Sequence, residues 1–595
     1  MCGISGIITK QVTPEADLDA LIGRFNSRLK HRGPDAAGSW CHSNIALGHR
    51  RLSIIDLSDA GNQPMSTTDN NYLIIFNGEI YNFRELKEEL MTKGHQFHTA
   101  SDTEVILHAY EEWGTGAFNR FNGMFAFSLY DKQKNELLLV RDHAGIKPLY
   151  YHLSHEHLLF SSEIRCFKEF NPNWNKNPYW SYQFLSFGFI PFPYTTLDDV
   201  FVLPKGHFLK ININSFETSM QSYHQFRFTE TITSEKEALE KTRAVLIASL
   251  DRHMISDAPL GIFLSGGIDS SLLALIADYR KHPNLNTISV TFNEASYNEE
   301  PFQNLVLDKM RSHTHKKYKV DERLFLKYLP DIFEAMDQPS WDGINSYFVS
   351  KCAQDAGLKV VLSGLGSDEL FGGYPSFQRV LLLNALRFLP SSITKFSSKF
   401  NSSISRLALL GLPTNYNEYL FLRGCFDAVT ISKITQKPVE EVITSFEVLN
   451  LKDVPLKRDQ NLASYLETNV YMENQLLKDT DYMSMWHSLE VRVPYLDKEL
   501  MELTNSIHPK IKYNKSQPKC LITKAFNDML PPEIIFRKKQ GFTFPFSIWL
   551  KNNMDYFKGL IPDTPVTTQL VHGFLNGQVH WSRIWSLIVY KKFMD

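Results

Sequence analysis

No run of apolar residues approaches the ~18 needed to cross a bilayer as a helix. The longest candidates, such as RVLLLNALRF, are broken by charge and read as buried helix. An excess of one charge is missing too. Lys and Arg number 63 against 65 Asp and Glu, a formal net charge of −2 with a pI near 6.9. That leaves no basic footprint for nucleic acid and no polybasic patch for a membrane surface. Cysteine is scarce: six in 595 residues, with no CxxC pair, so neither a zinc signature nor a disulfide framework is read. A reducing, cytoplasmic setting is expected. The N-terminus lacks a basic n-region and an apolar h-region, so no signal peptide is expected. Internal repeats and low-complexity segments are absent. No GxxxxGK[ST] occurs, which excludes a Walker-type phosphate loop.

What is present fits globular protein: 43% hydrophobic and 22% charged residues. At ~100–200 residues per domain, the length predicts two to four domains. Residues 1 to about 210 carry short apolar or alternating runs (ISGIIT, NYLIIFNGEIYNF, GMFAFSLYD, NELLLVRD, HLLFSSE) punctuated by Gly, Asn and Asp. These read as strands of antiparallel sheets. ALIGRFNSRLKH and FRELKEELMTKG between them read as helices, the second ending on Gly94. Residues 211–232 are polar and read as a linker. From 233 onward, strands alternate with helices (APLGIFLSGGIDSSLLALIADYR, NTISVTFN, LKVVLSGLGSDELFGGY), which predicts a parallel, doubly wound sheet. From about 375 to 595 the pattern is mostly helical.

Two local features carry chemistry. The chain opens MCGISGI, so removal of Met1 would leave Cys2 with a thiol and a free α-amine. Further on, SGGIDSS (Ser265–Ser271) closes an apolar strand and opens a helix. Its glycines let backbone N–H groups turn toward a ligand, and the helix N-terminus and serine hydroxyls add donors: an anion site. Asp269 is odd in a pure anion site, and makes sense if Mg²⁺ sits beside the phosphates.

The loop resembles the pyrophosphate loop of ATP-pyrophosphatase enzymes, which make adenylates. Together with the N-terminal Cys-Gly, and with HRGPDAAG, LGHRRLSIIDLS, FNGEIYNF, SDTEVILHAY, RDHAGIKPLYY, SGLGSDELFGGY, HSLEVRVPYLD and RKKQGFTFPFSIWL in order, the chain is similar to the glutamine-hydrolysing asparagine synthetases. The resemblance implies an α+β N-terminal-nucleophile glutaminase domain (1–210) joined through the linker (211–232) to an α/β ATP-pyrophosphatase domain with a helical C-terminal part (233–595).

It also implies roles. Cys2 would be the glutaminase nucleophile, with its own α-amine as general base. Asn77 and Gly78 would form the oxyanion hole. Arg51 would pair the glutamine α-carboxylate, and Asp102, helped by Glu79, the α-ammonium. Arg32 to Asp35 reads as an architectural turn. In the second domain, Ser265, Gly266, Gly267, Asp269 and Ser270 would hold the pyrophosphate. Phe263 and Val290 would contact adenine, and Ser363 and Gly364 would contact ATP through the backbone. Asp269 and Asp368 would be Mg²⁺ ligands. Lys539 would neutralise phosphate charge, with Lys538 as the neighbouring alternative. The substrates implied are glutamine, ATP and a carboxylate acceptor, and a homodimer is the expected assembly.

One departure stands out. Leu365 in SGLGSDE lies where asparagine synthetases usually carry an acidic residue. Either Asp342 or Glu369 takes over its role, or the acceptor is a carboxylate other than aspartate, or the synthetase site is inactive. WDGINSYFVSK is a second candidate determinant of the acceptor. A β-lactam-forming relative and a non-enzymatic binding protein are the competing classes. Intact Cys2, Arg51, Asn77 and Asp102 speak against the first, and the intact phosphate loop and acidic residues against the second.

Overall fold

The computed structural model describes residues 2–386, 406–452, 454–455, 457–513, 517–537, 541 and 543–594. Twelve strands lie in the first 222 residues: β1 Gly3–Thr9, β2 Ala36–His42, β3 Ile45–Arg51, β4 Met65–Ser66, β5 Tyr72–Ile80, β6 Gly123–Asp131, β7 Glu136–Arg141, β8 Tyr150–Leu153, β9 His157–Ser161, β10 Phe201–Val202, β11 His207–Asn212 and β12 Thr218–Ser222. They form two six-stranded sheets, β10–β8–β9–β1–β3–β2 and β12–β11–β7–β6–β5–β4. Every pairing is antiparallel, as the alternating runs predict.

The pleat sorts the side chains into layers. Ile4 and Ile8 of β1 meet Leu73 and Ile75 of β5 between the two sheets. Ile7 points the other way, onto helix α1 (Glu15–Arg28) with Leu18, Ile22 and Phe25. On the far side, Ile74 and Phe76 pack on helices α2 (Phe83–Thr92) and α3 (Asp102–Trp113). The result is a helix–sheet–sheet–helix sandwich, in which each fully buried aliphatic side chain contributes about 1.5–3 kcal/mol. Helix α2 stops at Thr92, just short of Gly94, whose φ is +99°.

The linker reading fails in its first half. Thr218–Ser222 is a strand paired to β11 from His207↔Ser222 to Ile211↔Thr218. It is an edge strand with both faces largely in solvent, so it needs backbone pairing but no apolar face, and its polar sequence hid it. The second half is docked as well. Thr229 N donates to Asn505 O at 3.0 Å, and Ile232 bridges Ile507.

Among the described residues, the second half of the chain holds five strands: β13 Leu260–Phe263, β14 Asn286–Thr291, β15 Thr314–Lys319, β16 Val360–Leu362 and β17 Glu490–Arg492. They form one all-parallel sheet in the order β15–β14–β13–β16–β17. Three strands were legible as apolar runs. The outer two were not: β15 is THKKYK, a charged edge, and β17 has three residues, two of them charged. The strand order reverses direction between β13 and β16, and the crevice beyond the carboxyl ends of such strands is where ligands bind in open α/β sheets. Around the sheet, helices pack through an aromatic core that includes Phe325, Trp549 and Trp585. Phe184, Phe187 and Phe189, from the first third of the chain, join this core, where Phe187 packs on Tyr416 and Tyr419 and Phe189 on Tyr419.

Candidate active sites

Cys2 precedes β1 and is buried under the end of the sandwich. Its backbone N donates to Asn77 Oδ1 at 3.0 Å, and its carbonyl accepts from Arg32 Nε at 3.1 Å. Alternation along β5 explains Asn77: the face that sends Leu73 and Ile75 into the sandwich carries Asn77 and Glu79 beyond them. With its oxygen engaged by Cys2, Asn77 keeps a buried Nδ2 with no partner in the protein. Such a donor is costly unless something receives it. Next to it, Gly78 passes so close to β6 that a Cβ would sit 2.1 Å from Met124 O, so only glycine fits. Burial pushes the Cys2 thiol up, against the nearby chain-terminal ammonium and Arg51, so the resting thiol is protonated and needs a base to react.

Arg51 ends β3. Its guanidinium donates to Ser58 O at 2.6 Å, to Asn62 Oδ1 at 2.9 Å and to Asp56 O. All three are formally neutral oxygens, which leaves the charge available to an anion. Nearby, Glu79, Asp102 and Glu490 are buried around one cation, Arg492. Arg492 Nε lies 2.5 Å from Glu490, and Arg492 Nη2 lies 3.5 Å from Glu79. Burial favours neutral Glu490, but Arg492 and Lys147 together with the hydrogen bond from Arg492 act against it, and this carboxyl is held below its usual range. Glu79, desolvated and facing Glu490, is raised well above its own. Burial also pushes Asp102 up to about 6, although Ile80 N donates to it at 2.9 Å. Three carboxylates around one guanidinium make a pocket that gains from a cationic ligand.

The second site is a cavity of about 310 Å³ at the reversal point of the parallel sheet. The loop after β13 lines it with Ser265, Gly267, Asp269 and Ser270, and the loop after β16 with Ser363, Gly364, Leu365 and Asp368. Phe263 and Val290 line it as well. Gly266 does not reach the lining. It turns the loop with a φ of +76°, and a Cβ there would meet Phe302 Cβ at 2.8 Å. Inside the loop, Ser270 Oγ accepts from Ser265 N at 3.1 Å, which curls the backbone into a cup. Lys538 and Lys539 lie outside the described residues.

Sequence reasoning missed several charges. Lys519 Nζ lies 2.5 Å from both Asp269 and Asp368, so two carboxylates from different loops converge on one cation. Asp269 Oδ1 is buried and still unpartnered. Arg537 reaches Gly266 O at 3.4 Å, stacks over Phe302 and pairs Glu299 at 2.7 Å. Arg32, read as part of a turn, is fully buried and bonds Glu163 at 2.9 Å and Asp481 at 2.7 Å. Only an isolated charge between turn residues marked it in the sequence. Of the two proposed substitutes for an acid at Leu365, Glu369 lines the cavity and Asp342 does not. Burial and Asp368 push Glu369 up to about 7, and Tyr374 donates to it at 2.8 Å. From WDGINSYFVSK, Asn345, Ser346, Val349 and Ser350 line the same cavity.

The two sites share a wall. On β17, Glu490 and Arg492 face Glu79, while Val491 between them lines the cavity. On helix Leu477–Trp486, Asp481 reaches Arg32 and Thr480 lines the cavity.

A cysteine-first antiparallel sandwich beside an open parallel sheet with a Ser-Gly-Gly cup is the layout of a glutamine amidotransferase coupled to an ATP-dependent ligase. Residues 1–224 match the glutamine amidotransferase domain family and residues 241–573 the asparagine synthase family. The chain is 33% identical over 589 residues to asparagine synthetase [glutamine-hydrolyzing] 1 of Bacillus subtilis, covering 96% of this chain and 91% of that one. It is 30% identical over 590 residues to a putative asparagine synthetase of Mycobacterium tuberculosis, covering 93% and 88%. It is 27% identical over 615 residues to amidase chry2 of Gibberella zeae, covering 92% and 90%. The chain belongs to the glutamine-hydrolysing asparagine synthetase family, and it is a glutamine-hydrolysing ligase that uses ATP.

Proposed function

We propose that this chain hydrolyses glutamine at Cys2 and passes the ammonia to an acyl-adenylate of aspartate, yielding asparagine, AMP and pyrophosphate. The observation that carries the reading is Asn77: its oxygen is fastened to Cys2 N, and its buried Nδ2 awaits an acceptor. Glutamine would enter with its α-carboxylate on Arg51 and its α-ammonium among Asp102, Glu79 and Glu490. The α-amine of processed Cys2 takes the thiol proton, and sulfur adds to the side-chain amide carbon. Asn77 Nδ2 and Gly78 N receive the oxyanion. The amine returns the proton to the leaving nitrogen, ammonia departs, and water hydrolyses the γ-glutamyl thioester.

In the cavity, the acceptor carboxylate attacks the α-phosphorus of ATP and pyrophosphate leaves into the Ser265–Ser270 cup. Asp269 and Asp368 would hold Mg²⁺. Their convergence on a single cation fits such an ion, which would offset phosphate charge when bound. Lys519, and Lys539 beyond the described residues, would neutralise the departing pyrophosphate. Glu369, held near neutrality, would exchange a proton as ammonia attacks, in place of the acid absent at Leu365. Ammonia would cross the wall formed by β17 and the helix Leu477–Trp486 at Thr480 and Asp481. A cytoplasmic setting, which keeps Cys2 reduced, belongs to the same reading.

A second reading has its own observation. Leu365 makes that part of the cavity apolar, and relatives include proteins named amidases, so the acceptor would be a carboxylate other than aspartate. Mass spectrometry of a reaction with amide-¹⁵N glutamine, ATP, Mg²⁺ and aspartate separates the two. Labelled asparagine with matching AMP supports aspartate, and glutamate without asparagine supports the second acceptor.

A further inference from the structure

On the helix side of the sandwich, the connection from α2 to α3 brings His95 against His108 and Glu111 of α3. Among the described residues, this is the one group of three His, Cys, Asp or Glu side chains whose donor atoms converge closely enough to hold a metal ion. The three atoms form a nearly equilateral triangle. His95 Nδ1 and His108 Nδ1 are 3.3 Å apart, His108 Nδ1 and Glu111 Oε2 3.1 Å, and His95 Nδ1 and Glu111 Oε2 3.4 Å.

We propose that His95, His108 and Glu111 bind Zn²⁺ tetrahedrally through these atoms, with solvent at the fourth position. A tetrahedron with metal–ligand bonds of about 2.0–2.1 Å has edges of about 3.3–3.4 Å, whereas an octahedron with the same bonds has edges of about 2.8–3.0 Å. The triangle fits the first. Two imidazoles and one carboxylate select a borderline transition metal over Mg²⁺ or Ca²⁺.

The surroundings agree. Coordination through Nδ1 leaves each ring with its proton on Nε2, and that of His95 is within hydrogen-bond reach of a carboxylate while that of His108 has one nearby. Glu112 Oε2 is 3.2 Å from His95 Nε2, and Glu104 Oε1 is 4.0 Å from His108 Nε2. Such outer carboxylates orient ligating histidines and raise their basicity. The connection is held by hydrogen bonds of its own: Glu104 accepts from His98 N and from Thr99 N at 2.8 Å each. An ion can reach the triangle from solvent, since Glu111 is 37% exposed and both histidines 12%. The spacing also assigns a consequence. Helix α3 begins at Asp102, so an ion that ties His95 to His108 and Glu111 clamps the segment that delivers Asp102 to the glutamine pocket.

The test titrates Zn²⁺ alone into the chelator-treated full chain carrying Cys2→Ala, which removes the nucleophile thiol as a competitor. Calorimetry is expected to show one equivalent bound, with a rise in melting temperature. Co²⁺ in its place is expected to give the intense visible absorption of a four-coordinate ion. His95→Ala and His108→Ala each lose the high-affinity equivalent, and Glu112→Gln weakens it at least about tenfold. His95→Gln gives the same readout if His108→Ala fails to fold, as judged by circular dichroism. Uptake that is absent from the folded chain, or unchanged by the His95 and His108 substitutions, overturns the proposal.

Discussion

Arg32 donates to Asp481 across 2.7 Å, joining two residues 449 positions apart in the chain. The same guanidinium holds the carbonyl of Cys2 at 3.1 Å. One buried cation thus fastens Cys2, the proposed nucleophile, to the helix that lines the cavity of the parallel sheet. Arg32→Ala would leave Asp481 to the longer contact with Lys147 at 3.6 Å and shift load onto the other partners of Glu163. Breaking a buried pair from one side costs about 3–5 kcal/mol. Chemical denaturation is expected to show a loss of that size, with glutamine-dependent activity falling further than ammonia-dependent activity. Equal falls would mean that the contact serves stability alone.

Cys2→Ala should abolish use of glutamine while leaving use of free ammonia intact. Assays with ammonium chloride and with glutamine, on protein checked for folding, separate the two. Loss of both would show that the sites are not separable.

Asn77→Ala removes the orphaned donor and the anchor of Cys2 N together. Loss of one oxyanion donor costs about 10²–10³ in kcat. Glutaminase kcat is expected to fall by at least that much with little change in KM. A change confined to KM would assign Asn77 to binding instead.

Burial pushes Asp102 up to about 6, against about 3.9 for an unfolded aspartate. Between these values the folded chain holds a proton the unfolded chain has lost. The ionised Asp102 therefore destabilises the ligand-free fold above pH ~6, and the penalty is relieved as pH falls toward ~4. Asp102→Asn should raise the melting temperature at pH ~8 without glutamine. The wild-type KM for glutamine should climb as pH drops through ~6, because the neutral acid no longer attracts the α-ammonium. A flat KM from pH 5 to 8 would remove Asp102 from the pocket.

Lys519 is the cation shared by Asp269 and Asp368. Lys519→Met should reduce ATP–pyrophosphate exchange by about 10²–10³. It should also enlarge the rise in melting temperature on adding Mg²⁺, since the Lys519 cation no longer competes for the two carboxylates. Unaltered exchange would place the pyrophosphate elsewhere.

What could be read ahead of the fold was local. Strand alternation puts Asn77 and Glu79 on the face of Leu73 and Ile75, and the Ser-Gly-Gly turn between an apolar strand and a helix marks the nucleotide cup. Both follow from periods of a few residues, which a sequence displays directly. Strands without an apolar signature escaped, as β12, β15 and β17 did, because an edge or a three-residue strand is held by backbone pairing rather than by its side chains.

The amino-acid sequence by itself therefore determined the class of enzyme, a glutamine-hydrolysing ligase that uses ATP, and pointed to most of the residues that the fold gathers at the two candidate sites. Tertiary structure alone decided how the sites are joined. Arg32, Glu490, Arg492 and Lys519 look like ordinary surface charges in the chain. Only folding removes them from water, and a charge taken from water must be paired at once with whatever distant residue the fold sets beside it.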